Sequence, residues 1–291
     1  MVKKYAQLYS DLRRTLLKSE DPQEAGFIAR TIISHLAEIS QEHLLANGEM
    51  YTSEAVCEAC EAAVSRFLKG EPLAYILGEW EFYGLSLTVT PDVLIPRDDT
   101  CALASMAIRQ SLFLEKSPRI LDLCTGSGCI GLAIASRVAD ARVTLGDISS
   151  KALSIAKQNI LRNHFTGRVS AISVDALNKP SPFLGKFDLI VSNPPYITTQ
   201  EMAELPKSVA DFEPHLALHG GDDGLIFYRA IAANYKCALK PGGFLCFEFG
   251  MGQGNAVCEI LVNNGYTILE RSRDYNDVER AVMAQLSRKE E

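Results

Sequence analysis

The stretch with the most evident chemistry is Asn193-Pro194-Pro195-Tyr196, which follows the apolar run Leu189-Ile190-Val191 and Ser192. A planar NH2 group bonded to a carbonyl or an aromatic ring has a delocalised lone pair and is a poor nucleophile. The Asn193 side-chain oxygen and the Pro194 carbonyl can each accept one N–H from such a group, and Tyr196 can lie against its flat face. Held that way, the nitrogen keeps its lone pair aimed at an electrophile, and no strong base is required. An ordinary strand-ending Asn-Pro turn is the plain alternative.

A second group of residues surrounds Asp122-Leu123-Cys124-Thr125-Gly126-Ser127-Gly128-Cys129. Glycines let the backbone approach a ligand closely, and a helix start offers free N–H groups. Gly126, Gly128 and Gly131 also fit the GxGxxG dinucleotide fingerprint, a weak signal on its own. Asp122 weighs against it, because a carboxylate there would repel a pyrophosphate and attract a ligand ammonium. S-adenosylmethionine carries an ammonium and a sulfonium and has no phosphate. Asp147 is placed to take both ribose hydroxyls, and Asp175 to accept from an adenine amino group. Each aspartate alone also reads as a helix cap or turn residue; their recurrence after successive strands makes the joint case.

These residues need a frame. From Arg119 onward the chain alternates strands and helices, which predicts an α/β fold with a mainly parallel, doubly wound sheet. Strands are expected at 119–123, 141–147, 169–174, 187–192 and 244–249, with late strands near 266–270 and 281–286. Helices are expected at 129–138, 150–163, about 225–239 and 253–264. Every acidic or amidic candidate then falls at the carboxyl end of a strand, where open α/β sheets bind ligands. The two prolines after Asn193 hold that backbone extended.

Ahead of this frame, residues 1 to about 70 read as a small helical bundle. Asp21-Pro22-Gln23-Glu24 supplies a cap, a first-turn proline and a carboxylate, followed by Ile28, Ile32 and Leu36 at helical spacing. Val56, Cys60, Ala63 and Phe67 share a face of a later helix that stops at Gly70. The bundle reads as a partner-recognition module or as a structural cap. Trp80 to Val89, with Gly84 inside it, is expected to form a β-hairpin, and a helix is expected from about Thr100.

The chain has 291 residues, 47% apolar and 22% charged, with a net charge of −7. That length suits two domains, and the acidic balance argues against nucleic acid as the main partner. The eight cysteines lie mostly in apolar runs, as reduced thiols do. Cys57 and Cys60 form a CxxC without a second pair or nearby His, so a core role is expected over a metal or redox one. No metal is expected. Neither a secretory leader nor a membrane span is evident, so a soluble, cytoplasmic protein is expected.

With these motifs in place the chain resembles the HemK/PrmC family of protein-glutamine N5-methyltransferases, which act on class I peptide chain release factors. The resemblance runs from Pro72 to the C-terminus. It rests on Pro72-Leu73-Ala74-Tyr75-Ile76-Leu77-Gly78, Glu81-Phe82-Tyr83-Gly84, Leu94-Ile95-Pro96-Arg97, the Asn193 to Tyr196 motif, Phe212-Glu213-Pro214, and Gly220-Gly221-Asp222-Asp223-Gly224-Leu225. Gly242-Gly243 with Glu248 and Gly250 also fits.

The resemblance implies a Rossmann-like S-adenosylmethionine-dependent domain at 99–291, a β-hairpin linker at 76–98 and a helical domain at 1–75 that recognises the substrate. The substrate would be the glutamine of a release factor's Gly-Gly-Gln loop. Asn193, Pro194, Pro195 and Tyr196 would form the catalytic clamp. The cofactor would lie on Asp122, Cys124, Thr125, Gly126, Ser127, Gly128, Asp147, Asp175 and Ala176, with its methyl facing Asn193. A monomer is expected.

Three places depart from the family pattern. Arg97-Asp98-Asp99-Thr100 replaces Arg-Pro-Glu-Thr, the 274–280 stretch lacks a glycine, and Ala176 stands where some relatives carry an aromatic. Other readings remain open: methylation of an exocyclic amine of a nucleic-acid base, a nicotinamide-dependent oxidoreductase built on the glycine loop, and a non-catalytic binding module.

Overall fold

The computed structural model describes residues 1–287. They form two compact units, Met1–Gly78 with Lys207–Phe212, and a larger one from Glu79 to Pro206 and from Glu213 onward.

The first unit is helical, with α1 (Tyr5–Leu16), α2 (Pro22–Leu36), α3 (Gln41–Ala46), α4 (Glu54–Phe67) and α5 (Leu73–Leu77). Helix α2 starts where Asp21 accepts from the N–H groups of Gln23 and Glu24, with Pro22 at the first position. Its inward stripe is Ala25, Ile28, Ala29, Ile32 and Ile33, so Leu36 stands at the margin. In α4 the buried face is Cys57, Cys60, Ala63 and Val64, rotated slightly from the Val56–Phe67 stripe expected. Both CxxC thiols are therefore core side chains, 2% and 0% exposed.

The larger unit opens with the expected hairpin, β1 (Glu79–Phe82) and β2 (Leu85–Thr88). Tyr83 and Gly84 both take positive φ, as a two-residue turn between right-twisted strands requires. A short turn of helix then leads to α6 (Cys101–Leu112), followed by β3 (Arg119–Leu123), α7 (Cys129–Arg137), β4 (Arg142–Asp147), α8 (Ser150–Arg162), β5 (Val169–Ser173) and β6 (Phe187–Ser192). Two short helices, α9 (Thr199–Met202) and α10 (Lys207–Ala210), the second of which belongs to the first unit, precede α11 (Ile226–Asn234), β7 (Leu239–Glu248), α12 (Gly254–Asn263), β8 (Tyr266–Arg273) and β9 (Glu279–Leu286).

The strands make one seven-stranded sheet in the order β5-β4-β3-β6-β7-β9-β8, with β9 antiparallel to both of its neighbours. Strand residues alternate between two cores. Ile120, Leu189, Val191 and Cys246 meet α6, α7 and α8 on one face. Leu121, Ile190, Leu245 and Phe247 meet α11 and α12 on the other.

Two boundaries differ from expectation. Pro241-Gly242-Gly243 does not precede the fifth strand but sits within it: Leu239 pairs with Phe187, and regular pairing resumes at Phe244 opposite Leu189. Gly242, at φ +75°, carries the bulge. Helix α11 ends at Asn234 and tightens into a 3₁₀ turn over Tyr235–Ala238.

The chain runs outward from β3 through β4 to β5, then returns to place β6 on the other side of β3. That reversal opens a crevice at the carboxyl ends of β3 and β6.

Candidate active site

A cleft opens at this crevice, where open α/β sheets bind their ligands. Cys124, Gly126, Asp147, Asp175, Ala176, Asn193 and Pro195 line it, together with Val93, Ile148, Leu216 and Phe227. The topology thus brings together ends of β3, β4, β5 and β6. Asp122, Thr125, Ser127, Gly128, Pro194 and Tyr196 do not line it.

The glycine loop is held by its own polar groups. Asp122 is fully buried, and its Oδ2 accepts from the Thr125 hydroxyl at 2.6 Å and the Gly131 N–H at 2.9 Å. Burial pushes its carboxyl up to about 7, against the pull of those two donors. The N–H groups at the start of α7 are where a dinucleotide's pyrophosphate would sit, and one is already taken by this carboxylate. The same arrangement leaves Asp122 Oδ1 without a hydrogen-bond partner. A Cβ on Gly131 would lie 2.3 Å from Leu145 Cδ2, so a side chain there would displace Leu145. Cys124 takes φ +57° on the cleft wall, an unfavourable conformation for a side chain with a Cβ.

Asp147 ends β4 with Oδ2 accepting from Gly126 N–H at 2.9 Å and Oδ1 from Ser149 N–H at 2.9 Å. Burial holds its carboxyl above the usual range despite those bonds. Each oxygen retains a lone pair, which suits a diol at the cleft. Asp175 lines the cleft too, but its oxygens close its own turn, accepting from Leu177 N–H at 2.9 Å and Asn178 Nδ2 at 2.6 Å.

The Asn193 to Tyr196 segment is clasped from behind. Gln253 Nε2 donates to the Tyr196 carbonyl at 3.0 Å, and Gly250 N–H donates to Gln253 Oε1 at 2.9 Å. A Cβ on Gly224 would lie 2.3 Å from the Tyr196 oxygen, and one on Gly220 2.7 Å from the Pro195 oxygen. The Tyr196 ring covers Gly250, whose Cβ would lie 3.0 Å from it. Burial, aided by Glu248, raises the Tyr196 hydroxyl well above the ordinary phenol range, so it is neutral.

Several residues that position the site escaped sequence reasoning. Asn193 Nδ2 donates to Thr100 Oγ1 at 3.3 Å across 93 residues of chain. Glu248, expected only to fit a family pattern, is 2% exposed and lies against both. The signal was an acid inside the apolar strand Phe244 to Phe249. Glu213, 4% exposed, pairs with Arg97 and accepts from Ile95 N–H, tying the linker to the loop that carries Pro214 and Leu216. Asn159 of α8 joins hairpin to glycine loop, accepting from Thr88 N–H at 2.7 Å and donating to the Thr88 and Ser127 carbonyls.

Two of the departures from the family pattern meet each other. Arg280 pairs with Asp99 at 2.9 Å and with Asp274 at 2.8 Å. Asp277 takes φ +61° where a glycine would be unstrained. Among the described residues no His, Cys, Asp and Glu group could hold a metal ion, and no helix is long and apolar enough to cross a membrane.

The model of the PrmC N-terminal domain matches residues 7–78, and that of the methyltransferase small domain matches residues 99–212. The chain is similar to the release factor glutamine methyltransferase of Clostridium acetobutylicum, 37% identical over 88% of this chain and 90% of that one. It is equally similar to the one from Thermodesulfovibrio yellowstonii, 37% identical over 89% and 92%. Among solved structures, a methyltransferase from Pyrococcus furiosus shares the fold with a TM-score of 0.50, at 19% identity over 77% of this chain and 97% of that one.

Proposed function

The chain belongs to the release factor glutamine methyltransferase family, and from that premise we propose that it methylates the side-chain nitrogen of the glutamine in the Gly-Gly-Gln motif of class I peptide chain release factors. S-adenosylmethionine is the methyl donor; when bound, it supplies a methyl made electrophilic by a sulfonium. The observation that carries the reading is one cleft lined by Asn193, Cys124, Gly126 and Asp147.

The cleft residues fit such a ligand. It is cationic and lacks phosphate, which suits a cleft lined by Asp147 and Asp175 and a helix start already occupied by Asp122 Oδ2. Cys124 to Gly128 form the loop against it, Asp147 takes the ribose hydroxyls, and Asp175 with Ala176 bounds the adenine side. Asn193 Oδ1 and the Pro194 carbonyl accept the two N–H groups of the glutamine amide, while Tyr196 packs on its plane. These acceptors orient the nitrogen and stabilise the positive charge it gains as its lone pair forms the new bond. One N–H proton leaves for solvent, and the product is the neutral N-methyl amide.

The helical unit, 1–75, supplies recognition of the release factor, and 76–98 links it to the catalytic part, 99–291. A monomer acting in the cytoplasm, without nucleic acid as substrate, completes the proposal. Incubation with donor and either release factor or nucleic acid, followed by mass spectrometry, tests it. A methyl on the Gly-Gly-Gln glutamine is expected; label confined to nucleic acid would replace the reading with base methylation.

A further inference from the structure

A carboxylate with no part yet in methyl transfer lies directly behind Asn193. Glu248 ends β7 one residue beyond Phe247, the register partner of Ser192, so Glu248 and Asn193 leave adjacent strand ends together. Glu248 and Thr100 are each 2% exposed. The Thr100 hydroxyl and the Asn193 amide stand near enough to the Glu248 carboxyl to favour its ionised form, and its buried Oε2 has no hydrogen-bond partner. Asn193 Nδ2 also donates to Thr100 Oγ1 at 3.3 Å.

The direction of these bonds decides what Asn193 presents to the cleft. An ionised carboxylate only accepts. Thr100 therefore turns its hydrogen toward Glu248, which leaves the Thr100 oxygen as an acceptor. The Nδ2 end of Asn193 satisfies it, and Oδ1 is left for the cleft. A protonated Glu248 removes this constraint, because its own O–H can donate to Thr100. The Thr100 hydroxyl is then free to donate to Oδ1, and the amide can turn over. An inverted Asn193 would offer N–H groups to the N–H groups of a glutamine amide.

We propose that Glu248 is a positioning residue for methyl transfer, holding the Asn193 amide through Thr100 and by direct contact so that Oδ1 faces the substrate nitrogen. The inference rests on Asn193 being the acceptor of the glutamine N–H.

The surroundings make that charge state responsive to pH. Arg280 on β9 draws Glu248 toward the ionised form, but Arg280 is already committed to Asp99 and Asp274. Asp99, ahead of α6, opposes ionisation. Cys101 and Cys129 face it as thiols held neutral by burial, and Tyr196 as a neutral phenol. The Tyr228 hydroxyl donates to its main-chain oxygen at 2.9 Å. Burial is the largest influence and pushes the carboxyl up to about 7. Protonation as pH falls through that value releases the amide, so turnover falls on the acid side.

The test uses the full chain and an intact release factor, with kcat and KM measured from about pH 5.5 to about pH 9 for wild type, Glu248→Gln, Thr100→Val and Thr100→Ser. Calorimetry with S-adenosylhomocysteine and a melting temperature accompany each variant. The wild type is expected to show an acid limb with its midpoint near 7. Glu248→Gln should lower kcat about tenfold or more and flatten that limb, with cofactor affinity and KM within about threefold. Thr100→Val should lower kcat similarly, and Thr100→Ser, which keeps the hydroxyl, should recover most of it. A wild-type profile for Glu248→Gln, or full activity in Thr100→Val, overturns the proposal, as does a parallel loss of cofactor affinity. If Glu248→Gln does not fold, the Val and Ser pair at Thr100 decides. A wild type that leaves the glutamine unmethylated would instead sink the activity reading, a separate outcome.

Discussion

Asn193 and Asp147 line one cleft, and the proposed function gives them different steps, which substitution should separate. Asn193→Ala removes an acceptor from the reacting nitrogen, so kcat should fall about 10²–10³-fold while S-adenosylhomocysteine affinity changes little. Asp147→Ala should do the reverse, because it removes a ribose acceptor and also frees the Gly126 and Ser149 N–H groups. Calorimetry beside single-turnover rates separates the two; equal losses of affinity and rate in Asn193→Ala would contradict its role. Gly224 offers a sharper probe of the clamp. At φ +71°, with a Cβ 2.3 Å from the Tyr196 oxygen, alanine there must push the Tyr196 backbone. Gly252 has a similar φ of +83° and nothing within 4 Å of its Cβ. Gly252→Ala should therefore cost about 1 kcal/mol in urea unfolding, and Gly224→Ala about 2–3 kcal/mol together with turnover. Similar stability and rates in the two variants would show that Tyr196 does not depend on this contact. The strand end at Ser192 and the turn from Asn193 into the cleft were legible in the sequence because two prolines after an apolar run announce a rigid strand end. Thr100 and Glu248 were not, since their role exists only once β6 and β7 lie side by side.

Among the elements, buried parallel strands read clearly because both faces are covered and the residues run apolar without interruption, as Leu189 to Val191 do. The C-terminal strands are less legible. Pro241-Gly242-Gly243 signals a break, yet Leu239 still pairs with Phe187 ahead of it, so β7 begins earlier than local chemistry suggests. The insertion of β9 between β7 and β8 depends on long-range pairing that no local period reports. The hairpin is the opposite case: Tyr83-Gly84 dictates its turn, but its place beside the glycine loop depends on α8, where Asn159 bonds to both. With 0% exposure and three hydrogen bonds to the Thr88 and Ser127 backbone, Asn159 couples β2 to the glycine loop. Asn159→Ala strands one N–H and weakens two carbonyls in a buried place, a loss of about 2–4 kcal/mol. Cofactor affinity should fall with it, because Ser127 belongs to the loop. Denaturant midpoints with and without S-adenosylhomocysteine check this; a stability loss with unchanged affinity would uncouple hairpin and loop.

At the scale of the whole molecule, the site carries a cost that pH exposes. Asp122 and Glu248 are carboxyls buried against the sheet, each pushed up to about 7 by burial. A group whose pKa is raised in the folded state stabilises that state most below its unfolded value, and the benefit is lost as pH rises through the folded value. For Glu248 the window runs from its ordinary value of 4.5 up to about 7. Surface pairs act in the opposite sense. Arg66 holds the Glu71 carboxyl below its ordinary value, so that contribution is present at neutral pH and fades as pH falls. Comparing variants cancels the surface and isolates the core. Glutamine at 248 has nearly the same shape and no charge to bury, whereas the wild type must ionise a carboxyl in an apolar setting above pH 7. The stability of Glu248→Gln relative to wild type should therefore climb by about 2 kcal/mol between about pH 5 and about pH 8, while its turnover drops. Urea unfolding at successive pH values measures the difference directly. A difference that stays flat with pH would mean that the folded protein does not hold Glu248 as a strained charge, and would remove the reason for keeping an acid there at the expense of stability.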